Sequence, residues 1–196
     1  MRLVLASGSP RRAAILSALG LAFEVAPAEV DETRRQDEPP PHYVERLARE
    51  KAVAAAAPDV LAIGCDTVVV HGGRILGKPG HPEEARSMLR RLQGDSHEVV
   101  TGLAVAGYRE GAIAVESAVD VTEVVMLPMT EEEIADYVAT GAPMDKAGAY
   151  ALQEYGGVFV EAVRGSAHTV VGMPVHLLPR LVARFGVPLS SLRASG

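Results

Sequence analysis

The stretch Leu61 to Pro79, LAIGCDTVVVHGGRILGKP, constrains this chain more than any other. It opens with an apolar run too short to cross a membrane and rich enough in β-branched residues to predict a buried strand. Into the middle of that run the sequence sets a carboxylate, Asp66. Desolvation makes an ionised Asp costly unless it faces a cleft, a cation or a metal, so Asp66 is either a paired structural carboxylate or a working one. Further on, Gly72 to Lys78 has the glycine and lysine spacing of a phosphate-binding P-loop, but Pro79 stands where that pattern needs Ser or Thr. A P-loop must also open a helix with free N–H groups. Pro79 has none, and His71-Gly72-Gly73-Arg74 predicts a hairpin turn. The ATPase reading is discarded, and Lys78 is kept as a candidate phosphate cation.

The chain of 196 residues is long enough to bury a substantial core and is expected to be one domain, or two closely joined lobes of one sheet. A net charge of −6 lacks the basic footprint of a duplex-binding protein, and three Phe, five Tyr and no Trp leave few rings for stacking bases, so nucleic acid is not the expected partner. The single cysteine, Cys65, rules out an internal disulfide. No apolar run reaches membrane-spanning length, and the apolar part of MRLVLASGSPRR is too short for a signal peptide. A cytoplasmic protein with no membrane partner is expected.

In chain order, Leu3 to Ala6 predicts a short buried strand. Ser7-Gly8-Ser9-Pro10 then turns into a helix with Ser9 as N-cap and Pro10 at its first position, running to about Leu19 and stopped by Gly20. Ser7, Ser9, Arg11 and Arg12 thereby sit at a strand-to-helix junction, where free backbone N–H groups and the helix dipole favour an anion. Two arginines there suggest phosphate; the plainer reading is a surface pair. A second strand, Phe23 to Ala26, leads into a charged loop, Glu29 to Glu38, whose charges are expected to be mostly solvated. After Pro39 to Pro41 a helix spans His42 to Ala57, with Val44, Leu47, Ala48 and Val53 on one face. Lys51 is a candidate to reach past that face, although a lone helical Lys usually meets solvent.

Glu83 to Leu92 predicts a helix closed by Gly94, and His97 to Ala106 with Ala112 to Leu127 an antiparallel pair around Gly107 to Gly111. Thr130 and Glu133 form a capping box ahead of a helix from Ile134 to Ala139. Asp145 to Gln153 is rich in small residues, as where backbone comes close to a ligand or another element. Val158 to Val163 predicts a strand, and a last helix is expected over His168 to Phe185, before a polar tail free to fray.

Six histidines show no paired-ligand spacing, which gives zinc little support, and Cys65 reads as a core residue rather than a nucleophile. Glu32 and Asp66 suit a hard cation such as magnesium or manganese, which also binds substrate phosphates. A basic turn, the lysines Lys51 and Lys78, and two carboxylates together are what phosphoester hydrolysis needs: cations for the phosphate chain, a metal to polarise phosphorus, and a base for water.

Seven strings, SGSPRR (Ser7 to Arg12), VDET (Val30 to Thr33), GCDTVV (Gly64 to Val69), LGKP (Leu76 to Pro79), HEVVTG (His97 to Gly102), DKAGAYALQ (Asp145 to Gln153) and VVGMP (Val170 to Pro174), resemble in order the Maf family of nucleoside triphosphate pyrophosphatases. The resemblance implies an α/β fold, an elongated mixed β-sheet flanked by helices with two lobes around a central cleft, similar to the inosine triphosphate pyrophosphatases and forming a single domain over residues 1–196. It implies hydrolysis between the α and β phosphates. Asp66 would be the proton acceptor, with a divalent cation, Mg2+ or Mn2+, near Asp66 and Glu32. Arg11, Arg12, Lys51 and Lys78 would grip the phosphates, with Ser7 and the turn amides helping.

SPRR without an inserted residue, and AGAYALQ in place of a serine-rich string, resemble the dTTP and UTP branch rather than the 7-methyl-GTP branch. There Arg11, Thr67 and Gln153 would set specificity, and a Gln amide can both donate to and accept from a uracil or thymine edge. Ala151-Leu152 departs from that branch, which usually has a glycine and an isoleucine. The implied role is house-cleaning of pyrimidine nucleotides, standard or modified. The rival class is a nucleotide-binding regulator of cell division, because the family was first associated with septum formation. A homodimer is expected by resemblance only.

Overall fold

The computed structural model describes residues 1–194. Leu3, Val4 and Leu5 are buried in β1 (Arg2–Leu5), which pairs in parallel with β2 (Phe23–Val25) on one side and β3 (Val60–His71) on the other. At Gly72-Gly73 the chain folds back into β4 (Arg74–Leu76), setting Arg74 opposite His71: the hairpin expected from the sequence, and no P-loop. β5 (Ser96–Arg109) and β6 (Ala112–Met126) are sheet neighbours joined by Glu110-Gly111 alone, a connection short enough only for antiparallel strands. β6 pairs antiparallel with β7 (Val160–Arg164). Among the described residues the sheet has seven strands in the order β2-β1-β3-β5-β6-β7, with β4 paired to β3 off this path.

Helices α1 (Pro10–Ala18), α2 (Pro40–Ala54), α3 (Pro82–Leu92) and α4 (Glu131–Ala139) flank the sheet. The first three begin at proline, whose missing N–H costs nothing in a first turn. α4 carries both halves of the Thr130–Glu133 capping box. At α1, Ser9 holds the extended cap conformation, but its side chain makes no cap bond; the Ser9 amide donates instead to Ser7 Oγ at 3.3 Å. α2 starts two residues earlier than expected and leaves Val53 exposed.

The chain divides into two compact units: one formed by Met1–Asp66, Thr101–Asp120 and the chain from Gly172 onward, the other by Thr67–Val100 and Val121–Val171. In the first, α2 lies close against β3 and β5. A Cβ on Gly64 would run into the carbonyl oxygen of Ala48, and one on Gly102 into the Val44 backbone. In the second, α3 and α4 share a core with Leu89, Leu92, Ile134, Tyr137 and Phe159.

Two expectations fail near the C-terminus. The single last helix is broken into α5 (Ala167–Val171), a 3₁₀ turn at Val175–Leu177 and α6 (Leu178–Ala183). Gly172 at φ 111° leaves helical space and Pro174 lacks a donor, so the helical ladder stops between them. Nor does the polar tail fray up to residue 194. Leu192 is buried, its carbonyl accepts from the Ala22 amide at 2.9 Å, and Arg193 bridges Leu21. The last two residues of that tail lie outside the described residues. Among the described residues no helix is long and apolar enough to cross a membrane.

Candidate active site

Gly64 and Asp66, two residues apart on β3, face the same side of the strand. That side meets α2, and the close approach permitted at Gly64 is what lets a side chain one turn further along the helix reach the carboxylate. That side chain is Lys51. It shares its helix face with Val44, Leu47 and Ala48, and its side chain is only 10% exposed, contrary to the ordinary expectation for a lysine. The aliphatic stem lies along the apolar face while the ammonium meets two acids, Asp66 Oδ1 at 2.7 Å and Glu32 Oε1 at 2.6 Å.

Burial lifts the Asp66 carboxyl above the ordinary 3.8, against the opposing pull of Lys51 and of Arg12. Asp66 is therefore a better proton acceptor than an exposed aspartate. The neighbouring thiol of Cys65 is fully buried and pushed up to about 11 by desolvation, which leaves it an inert core group, as the sequence suggests.

Ser7 and Arg12 come together at the other expected feature, the junction of β1 and α1. Arg12 donates through one terminal nitrogen to Ser7 Oγ at 2.9 Å and through Nε to the Gly172 carbonyl at 2.9 Å. These two acceptors are neutral and aim the guanidinium, and the first turn of α1 holds no acid. Arg11 stands beside it on the same turn, half-buried. Ser7, Arg12, Glu32, Lys51 and Asp66 thus belong to one unit and form two bonded groups, which the field of Arg12 at Asp66 links.

Thr67, Lys78 and Gln153 belong to the second unit. Thr67 is half-buried on β3, Lys78 is exposed after β4, and Gln153 is exposed after the 3₁₀ turns at Ala142–Asp145 and Ala147–Ala149. The small-residue segment is indeed brought close to another element, since a Cβ on Gly148 would meet the Val69 side chain at 2.8 Å. Next to Gln153, Glu154 reaches the buried Lys146 at 3.1 Å.

Sequence reasoning overlooked Tyr43, Arg46 and Glu38. The Tyr43 hydroxyl donates to the Glu32 carbonyl at 2.8 Å, and Arg46 grips the Glu38 carboxylate with two nitrogens at 2.7 and 2.9 Å. Glu38 is buried and held down to about 2 by that guanidinium, so the charged loop is not uniformly solvated. The available signal was the three-residue step from Tyr43 to Arg46, which sets both on one side of α2.

A family model described as Maf-like protein matches residues 2–185. This chain belongs to the Maf family. Among its Maf relatives, a dTTP/UTP pyrophosphatase of Anaeromyxobacter dehalogenans is 51% identical over 189 residues, covering 96% of each chain. Those of Syntrophus aciditrophicus and Escherichia coli are 49% and 44% identical, covering 89% and 93% of this chain and 85% and 92% of their own. A solved HAM1 protein from Coxiella burnetii aligns over 94% of this chain and 99% of its own, at 16% identity and a TM-score of 0.45, too loose a likeness to add to the Maf assignment.

Proposed function

We propose that this chain is a nucleoside triphosphate pyrophosphatase that hydrolyses dTTP and UTP to the monophosphate and pyrophosphate. Maf relatives at 44% to 51% identity bear that activity in their names. The observation that carries the mechanism is Asp66, a desolvated carboxylate with a raised proton affinity, bonded to Lys51 in the field of Arg12.

In the reaction a water oxygen bonds to phosphorus as the bridging P–O bond between the α and β phosphates breaks. Asp66 takes the water's proton, and Lys51 fixes the orientation of its carboxylate. Arg11, Arg12, Lys51 and Lys78 neutralise the phosphate oxygens, and Ser7 with the amides at the start of α1 adds donors. Arg11, Thr67 and Gln153 choose the base.

A divalent cation suits the donor set. Glu32 and Asp66 are hard oxygen ligands that the Lys51 ammonium draws together, each with a second carboxylate oxygen that the ammonium does not bind. Among the described residues no cluster of three or more His, Cys, Asp and Glu side chains offers a fuller cage, and magnesium needs only one or two carboxylates beside waters and substrate phosphates. Glu32 and Asp66 would hold Mg2+ or Mn2+, which when bound neutralises the phosphates and polarises phosphorus.

The test is pyrophosphate release from dTTP, UTP, CTP, GTP and 7-methyl-GTP with either metal. The expected result is release from dTTP and UTP that falls about 10²–10⁴-fold in Asp66→Asn, with nucleotide binding retained by calorimetry. Preference for 7-methyl-GTP would overturn the base assignment, and full turnover in the variant would overturn the role of Asp66. Binding of dTTP without any turnover would point to the regulator.

A further inference from the structure

Residues 31–38 contain neither helix nor strand, yet they present Glu32 to Lys51. Side chains do most of the work of holding this loop. Tyr43 donates to the Glu32 carbonyl at 2.8 Å, and Arg46 donates to the Thr33 carbonyl at 3.1 Å and to both oxygens of Glu38. Arg34 closes on the Glu38 carbonyl through two nitrogens at 2.9 and 2.6 Å, and the Arg35 amide donates to Glu38 Oε2 at 3.1 Å. The Arg46–Glu38 pair is buried at both ends, with side chains 13% and 8% exposed, whereas the Glu32 side chain is 61% exposed. The Arg46 guanidinium also lies over the Tyr43 ring, 5.6 Å from its centroid.

A buried bidentate pair gives little net stability for its desolvation cost; its better-attested use is to fix geometry. Three of the fixed points, at 32, 33 and 38, are held by Tyr43 and Arg46 of α2, the helix that also carries Lys51, and the first of them is the backbone of Glu32 itself. An exposed carboxylate on an unheld loop would have to lose its backbone freedom each time it met a cation.

We propose that Tyr43 and Arg46, with Glu38 as anchor, are positioning residues that hold the Glu32 carboxylate beside Asp66, so that divalent-cation affinity is set in part by residues of α2 one to two turns before Lys51. This rests on the reading of Glu32 and Asp66 as the cation's carboxylates. Groups that orient metal ligands without touching the metal commonly change affinity about 10–100-fold.

The experiment measures Mn2+ binding by electron paramagnetic resonance without nucleotide, and amide hydrogen exchange over residues 31–38, in the wild type and in Tyr43→Phe, Arg46→Lys, Arg46→Met, Glu32→Gln and the double variant Glu32→Gln/Arg46→Met. Arg46→Met is expected to weaken Mn2+ at least about tenfold and to expose the Arg35 amide, Arg46→Lys to recover part of both, and Tyr43→Phe to weaken Mn2+ about threefold. The double variant should bind no worse than Glu32→Gln alone, because both substitutions remove the same contribution. Wild-type Mn2+ affinity in Tyr43→Phe and Arg46→Met, beside a loss in Glu32→Gln, overturns the clamp and leaves the reading of Glu32 intact. Unchanged affinity in Glu32→Gln overturns that reading and the clamp's purpose with it. Should Arg46→Met fail to fold, Tyr43→Phe decides, since it removes one hydroxyl.

Discussion

Each compact unit buries a lysine that meets two carboxylates, and the two sites behave differently. Lys51 draws its acids from a loop and a strand far apart in sequence, and one of them, Asp66, is itself out of water. Lys146 draws on its neighbours: Asp145 at 2.7 Å, Glu154 at 3.1 Å and the Ala142 carbonyl at 2.6 Å, with both acids open to solvent. On the proposed mechanism, what separates a catalytic group from a structural staple is the burial of the acid rather than that of the base. A desolvated carboxylate has its proton affinity raised and can accept from water; a solvated one only ties down a segment.

The largest break in that comparison should come from Lys51→Met. It strands a buried carboxylate, and a cost of about 3–5 kcal/mol, nearer the lower figure because Glu32 is exposed, should appear in urea unfolding. Pyrophosphate release should fall about 100-fold or more with it. Lys146→Met should be milder, since its two acids recover their hydration and only the Ala142 carbonyl loses a buried donor. About 1–3 kcal/mol is expected in the same unfolding measurement, with turnover of dTTP kept within about threefold. A catalytic collapse in Lys146→Met would erase the distinction between the two lysines.

The smallest effect is one of sign. The Asp66 carboxyl, raised by burial, keeps its proton in the folded chain to higher pH than in the unfolded one, where it ionises near 3.8. Its ionisation therefore costs stability as pH rises from 3.8 through the folded value. Glu38, lowered by Arg46 from 4.5 to about 2, does the opposite: its contribution is complete above 4.5 and is lost as pH falls through about 2. Urea midpoints of metal-free protein across the acid range should show Asp66→Asn removing a falling component and Glu38→Gln removing a rising one. Equal slopes in both variants would contradict the burial argument.

Features written in neighbouring residues were legible in the sequence. Pro10 and Gly20 bound α1, Gly72-Gly73 makes the hairpin that disposes of a P-loop, and Thr130 with Glu133 starts α4. The Maf strings hold Ser7, Arg12, Glu32 and Asp66, and the helix after Pro41 offered Lys51; the fold gathers all five into one unit. Lys51 stands four residues after Leu47 and seven after Val44, which places it on the apolar face of α2, and that local pattern outweighs the general habit of lysines to meet solvent. Glu38 is another matter: nothing around it signals burial until Arg46 arrives from the next helix. The break at Gly172 could be suspected from Gly172 and Pro174, but the use made of its carbonyl could not.

That carbonyl orients Arg12 across 160 residues of chain. During synthesis at about 5–20 residues per second, the arginine waits on the order of ten seconds or more for the acceptor that aims it to be made. Until Gly172 is made, nothing at residues 7–12 can supply this acceptor, so the aim of Arg12, and with it the proposed grip on a nucleotide, is completed by a segment far downstream of the helix that carries it.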